Sequence, residues 1–414
     1  MTTSLSLQDP LTLPCGTQIK NRLMKSAMSE GLATWDNRVT PELIRLYARW
    51  AQGGVGLLMT GNVMVDRRAL GEPGNLVIED ERDLDELKAW AQAGSQNNTS
   101  FWMQINHPGK QAIRSLNRVA YAPSAIPFPK DMRAFFAPPK ELTHAEIEEL
   151  IARFARTAAI AKKVGFAGVQ IHGAHGYLVS QFLSPKHNQR NDQWGGSAEN
   201  RRRFPLEIYH AMRRAVGDDF PISIKLNSAD FQRGGFTEDE SIALIQALSD
   251  AGINLIEISG GTYEKPIMMQ AKRNQQKAST QAREAYFMDF AERARKATDT
   301  PLVVTGGFRT AQGMQAALHS NAIDLIGLGR LLAVEPDAPK RILRAENPRH
   351  QVQPIRTGIK PVDQRALMEI MWYGRQMRRM AKGQEPKPQE SALKSLAFTL
   401  MEGGWGIFST RRAR

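Results

Sequence analysis

The sequence holds one cysteine, Cys15, among 414 residues. Disulfide frameworks need cysteine pairs, and Cys-ligated iron–sulfur or zinc centres need several, so all of these are excluded. A reducing, cytoplasmic location is the expectation that follows. Long apolar runs are missing as well. Nothing approaches the ~20 apolar residues of a membrane span. The opening MTTSLSLQDP lacks the basic start and apolar stretch of a secretory signal. Acid is the scarcer charge, with 42 Asp/Glu against 55 Lys/Arg and a net charge of +13. The excess is concentrated: residues 341–414 hold 15 Lys/Arg and 6 Asp/Glu, about nine of those charges. The rest of the chain is only mildly basic. A nucleic-acid binder would interleave basic residues with stacking aromatics in a recognisable module, and no such module occurs. Neither nucleic acid nor a membrane is an expected partner. The tail reads as a solvated basic segment.

What is present is the composition of a folded globular protein, 42% hydrophobic and 23% charged. The length suits one large domain or two ordinary ones. Short apolar runs alternate with amphipathic segments. Strands are predicted at 21–26, 56–60, 101–105, 167–171, 221–226, 255–259, 302–305 and 324–327. Helices are predicted at 41–51, with Pro41 at its first position, and at 80–93, where the acidic run DERDLDE suits a helix start. Thr143 and Glu146 form a capping box before Ile147, Leu150, Ile151, Phe154, Ala158 and Ile160 at helical spacing. Further helices are predicted at 199–216, 238–251, 286–297, 310–318 and 338–345. Eight strand–helix units in strict alternation argue for a (β/α)8 TIM barrel. An open doubly wound sheet is the alternative, disfavoured because no GxGxxG follows the first strand. A loop with six prolines between Pro108 and Pro139 interrupts the pattern, and a loop of that length inside a compact domain is usually functional.

The expected organisation is a barrel over residues 1–345 and a basic C-terminal helical extension over 346–414. Pro348, Pro354, Pro361, Pro386 and Pro388 mark the extension, and ALMEIMWYGRQMRRMA lies between them. Its Met and Trp residues at helical spacing read as packing, against the barrel or a second subunit. A homo-oligomer is expected.

The most informative stretch runs from Phe166 to Phe204, FAGVQIHGAHGYLVSQFLSPKHNQRNDQWGGSAENRRRF. The apolar run 167–171 is a buried strand, and His172, His175 and Tyr177 follow it directly. In barrels of this kind, active sites lie at the C-terminal ends of strands. Zinc would want a third ligand; His187 is available, but no acidic partner surrounds it. Two structural histidines are a second alternative. The favoured reading is a pair of donors aimed at a substrate oxygen, with Tyr177 as a proton donor.

A second signal lies at the other end of the barrel. VVTGGFRT follows strand seven and IGLGR follows strand eight. Glycines admit close backbone approach, and the loops after strands seven and eight are the usual phosphate site of this fold. Arg330 adds a fork-shaped cation. Together they imply a phosphorylated ligand. Lys225, in an otherwise apolar strand five, is either a Schiff-base lysine or a fixed cation facing a ligand that becomes negative. Gln104 and Asn62 are amides at strand ends, suited to a heterocycle that both donates and accepts, although a turn role for Asn62 is equally open.

The central segment HGAHGYLVSQFLSPKHNQRNDQWGGSAENRRRF resembles the signature of the Old Yellow Enzyme family of FMN-dependent NAD(P)H oxidoreductases. NRLMKSAMSE is similar to that family's first-strand motif, WMQINHPGKQA to its third, and TGGF and IGLGR to its phosphate-binding end. The resemblance spans roughly residues 5–345. It implies FMN across the barrel mouth and NAD(P)H as reductant. Ser26, Ala27, Met28 and Ser29 would line the flavin, and Asn62 and Gln104 would bind its ring. Lys225 would face the N1/O2 edge, and Gly307, Gly329 and Arg330 would hold the phosphate. His172 and His175 would bind the substrate carbonyl and the nicotinamide carboxamide, and Tyr177 would donate the proton. The implied reaction is a ping-pong reduction of an α,β-unsaturated carbonyl compound, with no metal.

Three departures matter. Lys225 stands where the family usually has Arg, which removes bidentate geometry. Ser29 stands where Thr or Cys is common. The cysteine cluster of relatives with an extra iron–sulfur domain is absent, which argues against a dienoyl-CoA reductase of that architecture. A Schiff-base aldolase centred on Lys225 is the alternative from a different class. A non-catalytic barrel whose basic tail binds an anionic partner is a third reading. Substrate choice is expected to depend on the 107–142 loop, the 262–285 loop and the tail.

Overall fold

The computed structural model describes residues 5–130, 132–260, 287–359 and 367–403. The 262–285 loop and Tyr286 lie outside them. Eight parallel strands close into a barrel. They are β1 (Leu23–Lys25), β2 (Leu57–Met64), β3 (Ser100–Asn106), β4 (Gly168–Gly173), β5 (Ile222–Asn227), β6 (Leu255–Ser259), β7 (Leu302–Thr305) and β8 (Leu325–Leu328). Each predicted strand is present, within a few residues of its expected ends. The barrel closes where β8 pairs with β1, Ile326 opposite Leu23.

Alternation along the strands divides the core in two. Inward-facing Met24, Leu57, Met59, Trp102, Leu255, Val303 and Leu325 form one cluster. A short hairpin (Leu11–Thr12 with Gln18–Ile19) adds Leu11, Leu13 and Ile19 to it and seals the N-terminal end of the barrel. Outward-facing residues such as Phe101, Ile171, Ile224 and Ile326 pack under the helices. Each such side chain taken from water contributes roughly 1.5–3 kcal/mol. Water is thereby kept from the lower barrel, and polar chemistry is confined to the C-terminal mouth.

The helical layer begins with α1 (Pro41–Gln52), whose N-cap Thr40 accepts from Leu43 N and whose face buries Leu43, Leu46, Tyr47 and Trp50. α2 (Leu84–Gly94) starts four residues later than its acidic run predicts. Asp80 pairs with Arg82 and Arg67 instead, so its carboxylate is committed to guanidinium groups and not to a helix start. α3 (His144–Lys163) and α6 (Glu238–Asp250) both carry the full capping box, at Thr143/Glu146 and Thr237/Glu240. Between them lie α4 (Leu178–Leu183) and α5 (Ala198–Val216). α7 (Met288–Arg295), α8 (Ala311–His319), α9 (Arg330–Val334) and α10 (Ala338–Ile342) complete the barrel. The proline-rich loop is pinned by a short parallel pairing of Ala120–Ala122 with Pro139–Glu141.

Two helices follow, α11 (Leu367–Ala381) and α12 (Ala392–Gly403). Met368, Trp372, Tyr373, Met377 and Met380 of α11 are buried in the same cluster as Leu46 of α1 and Leu332 of α9. Among the described residues, no helix is long and apolar enough to cross a membrane.

Candidate active site

β4 delivers His172 to the barrel mouth, in register with Lys225 of β5. The chain then turns sharply. His175 sits at φ +60, the left-handed region that bulky residues rarely adopt. Tertiary bonds hold it there: its N–H donates to Asn227 Oδ1 (3.1 Å), and its carbonyl accepts from Gln111 Nε2 (2.9 Å). Its ring Nε2 lies 2.8 Å from Ser259 Oγ at the end of β6. Tyr177 N donates to Ala174 O, closing the turn ahead of α4. The three rings meet edge to face, with His172 4.8 Å from Tyr177 and 5.2 Å from His175 between centroids. The sequence reading therefore placed three side chains together that the structure does bring together.

Electrostatics keep both imidazoles neutral. Burial, then His175 and Lys225, hold His172 well below the ordinary histidine range. Burial and Lys225 push His175 down to about 3. His172 Nδ1 accepts the Ala174 N–H (3.3 Å), which assigns the ring proton to Nε2. A neutral ring in that tautomer is a hydrogen-bond donor without being an acid. Among the described residues no group of three His, Cys, Asp or Glu could hold a metal.

Below the histidines, a chain of buried polar side chains runs around the barrel. Gln104 Nε2 donates to Gln170 Oε1 (2.8 Å), and Gln170 Nε2 donates to Glu257 Oε2 (3.0 Å). Glu257 Oε1 pairs with Lys225 Nζ at 2.9 Å and accepts from Thr305 Oγ1 at 2.6 Å. Thr305 in turn lies 2.7 Å from Ser26 Oγ. Five strands and Ser26, the residue that follows β1, thus contribute to one network, and every member is buried. Gln104, Lys225 and Ser26 were candidates from the sequence. Gln170, Glu257 and Thr305 were missed, although a lone acid inside the apolar LIEIS was a legible signal.

Asn62 lies inside β2, not after it. The strand bulges between Met59 and Asn62. Thr60 Oγ1 fills the interrupted ladder by accepting Gln104 N (2.8 Å), and Gly61 N donates to Glu30 Oε1 (2.9 Å). Tyr47 OH donates to the same Glu30 oxygen. Asn75 Nδ2 donates to Glu72 Oε1 (3.3 Å), and the Glu72 carboxyl is raised by burial and then by Glu30, against the pull of Ser29, Asn75 and Asn62 beside it. Ala27, Met28 and Ser29 are partly exposed at this lip. Glu30 and Glu72 were not foreseen.

At the far side, Gly306 and Gly307 follow β7 with φ of +111 and +99. A Cβ on Gly329 would meet nothing within 4 Å, so open space lies over that backbone. A Cβ on Gly327 would lie 2.0 Å from Thr305 Oγ1 and 2.8 Å from Ser26 Oγ. Arg330 opens α9, and its Nη1 pairs with Glu369 Oε2 of α11 at 2.6 Å.

The pattern that defines the NADH:flavin oxidoreductase / NADH oxidase family matches residues 6–347. The chain belongs to that family. It is 37% identical over 353 residues to the NADH-dependent flavin oxidoreductase iliE of Hypocrea jecorina (strain QM6a), covering 81% of this chain and 88% of that protein. It is 31% identical to the NADPH dehydrogenase of Geobacillus sp. (strain WCH70), covering 78% and 90%. Among solved structures it is similar to a 2-naphthoyl-CoA reductase complex, at a TM-score of 0.74 and 27% identity over 82% of this chain and 52% of that one. An old yellow enzyme homologue from Zymomonas mobilis superposes at a TM-score of 0.70 with 24% identity, over 84% and 95% of the two chains, which supports the barrel fold.

FMN is the cofactor of this flavin oxidoreductase family and NAD(P)H its reductant. The residues at the mouth fit that group. Buried amides and a cation occupy one side, as a heterocycle with both donors and acceptors needs. Positive-φ glycines and open space over Gly329 occupy the other, as a phosphate needs.

Proposed function

We propose that the protein reduces the activated C=C bond of α,β-unsaturated carbonyl compounds, with NAD(P)H and acceptor using one site in turn. The observation that carries this reading is the pair of neutral imidazoles beside the Tyr177 ring. A carbonyl oxygen that gains negative charge wants donors that do not give up their protons, and neutral His172 and His175 supply them. Tyr177 then has the separate task of protonating the α-carbon. FMN, when bound, supplies the hydride transfer itself. In this reading Ser26, Ala27, Met28, Ser29, Asn62, Gln104 and Lys225 hold the ring. Gly307, Gly329 and Arg330 hold the phosphate.

The Schiff-base alternative is weaker. A lysine nucleophile must be neutral and reachable, whereas Lys225 is buried against a carboxylate. The test is the visible absorption spectrum of the purified protein under anaerobic conditions. Flavin bands should bleach with NADPH or NADH and return on adding cyclohexenone. Bleaching without return would leave the oxidoreductase but replace the acceptor. A protein that stays colourless after added FMN would overturn the reading.

A further inference from the structure

The C-terminal extension reaches the candidate phosphate site. Glu369 lies in the first turn of α11, and its Oε2 is 2.6 Å from Arg330 Nη1. The carboxylate side chain is 12% exposed and the guanidinium 36%. Tyr373, one turn further along α11, is close enough to both that their charges act on its hydroxyl. The elements that carry this pair are cross-linked by hydrogen bonds. Trp50 of α1 donates its indole N–H to Leu332 O of α9 (2.9 Å), and Arg45 of α1 donates to Ala381 O of α11. α11 is braced in turn by Trp372 Nε1 to Glu390 O and by Arg375 to Glu390, both at 2.8 Å. One barrel helix therefore ties down the elements that carry the two charges.

We propose that Glu369 is a positioning residue for Arg330, and that the C-terminal extension is thereby part of the cofactor-phosphate site. The proposal rests on the FMN reading above. Arginine has five N–H donors in a fixed fork, and a carboxylate on Nη1 leaves the others for a phosphate. A long side chain held beforehand loses less rotamer freedom on binding. The opposing effect is repulsion between the carboxylate and a phosphate. It acts across the guanidinium that separates them, and solvent at the partly exposed arginine screens it. Positioning is therefore the larger effect.

The decisive measurement compares FMN with riboflavin, which lacks the phosphate, by flavin-fluorescence titration of the full-length protein stripped of flavin. Glu369→Ala should raise the Kd for FMN about five- to tenfold and leave the Kd for riboflavin within about twofold. Glu369→Gln, which still accepts from Nη1, should recover most of the loss. In an Arg330→Ala background, Glu369→Ala should bring no further loss of FMN affinity. Equal weakening of FMN and riboflavin would mean a merely structural role and would overturn the proposal. So would an unchanged Kd for FMN. Tighter FMN binding would mean that Glu369 competes with phosphate, the opposite conclusion. Wild-type protein that binds neither flavin would sink the cofactor reading itself, a distinct result.

Discussion

Lys225 Nζ lies 2.9 Å from Glu257 Oε1, and both side chains are closed off from water inside the barrel. The two residues are also register partners on adjacent strands, so backbone geometry sets their separation. Gln170 and Thr305 donate to the same carboxylate. A cation at the site is thus supplied with its counter-charge by the protein, which lets it sit there before any anionic ligand arrives.

This arrangement makes the pair a stability element. Removing one partner strands a buried charge, at a cost of about 3–5 kcal/mol. Lys225→Met and Glu257→Gln should each lower the stability of the flavin-free protein by roughly that amount in urea denaturation. The double variant should lose clearly less than the sum. Additive losses would mean that the two charges do not depend on each other. Lys225→Met should also weaken FMN binding or slow flavin reduction.

The histidines and Tyr177 should separate kinetically. His172→Ala with His175→Ala should retain bound FMN, read from the visible spectrum, while enone turnover is lost. Tyr177→Phe should leave the reductive half-reaction intact and slow the oxidative one by about 10²-fold or more. Enone turnover unchanged in the double histidine variant would remove the oxygen-binding role.

Acid should destabilise the protein early. His107 is pushed down to about 4 by burial, His175 to about 3, and His172 is lowered as well. The unfolded chain, with ordinary histidines near 6.5, binds more protons than the folded one as pH drops. Stability is therefore fully present above about 6.5 and is lost as pH falls towards these depressed values. Each histidine contributes up to about 1.4 kcal/mol per pH unit in that window. Urea midpoints at pH 7.5 and 5.5 provide the check; equal midpoints would contradict burial of neutral rings.

Gly327 has no room for a side chain, since its missing Cβ faces Thr305 Oγ1 and Ser26 Oγ. Gly327→Ala should cost about 1–3 kcal/mol through overpacking. It should also weaken FMN binding by displacing Ser26. Thermal melting and a flavin titration of one preparation would test both. A variant with wild-type values for each would show that the two hydroxyls tolerate a methyl group between them.

The sequence by itself determined the alternation of strands and helices, the capping box at Thr143 and Glu146, the glycines of the phosphate end and the run His172, His175, Tyr177. These are local properties: periodicity, cap chemistry and backbone freedom are written within a few residues of where they act. The tertiary structure alone decided the rest. Glu257 is 32 residues from Lys225 in a strand that reads as apolar, and Glu369 is 39 residues from Arg330 beyond the end of the barrel. Barrel closure and helix docking bring such charges together, and no local pattern encodes a partner that distant. The neutrality of the two imidazoles belongs to the same class, because it depends on burial and on Lys225 from the next strand. The late start of α2 is partly of this class: Asp80 pairs with Arg82, two residues on, and with Arg67, which the fold places beside it.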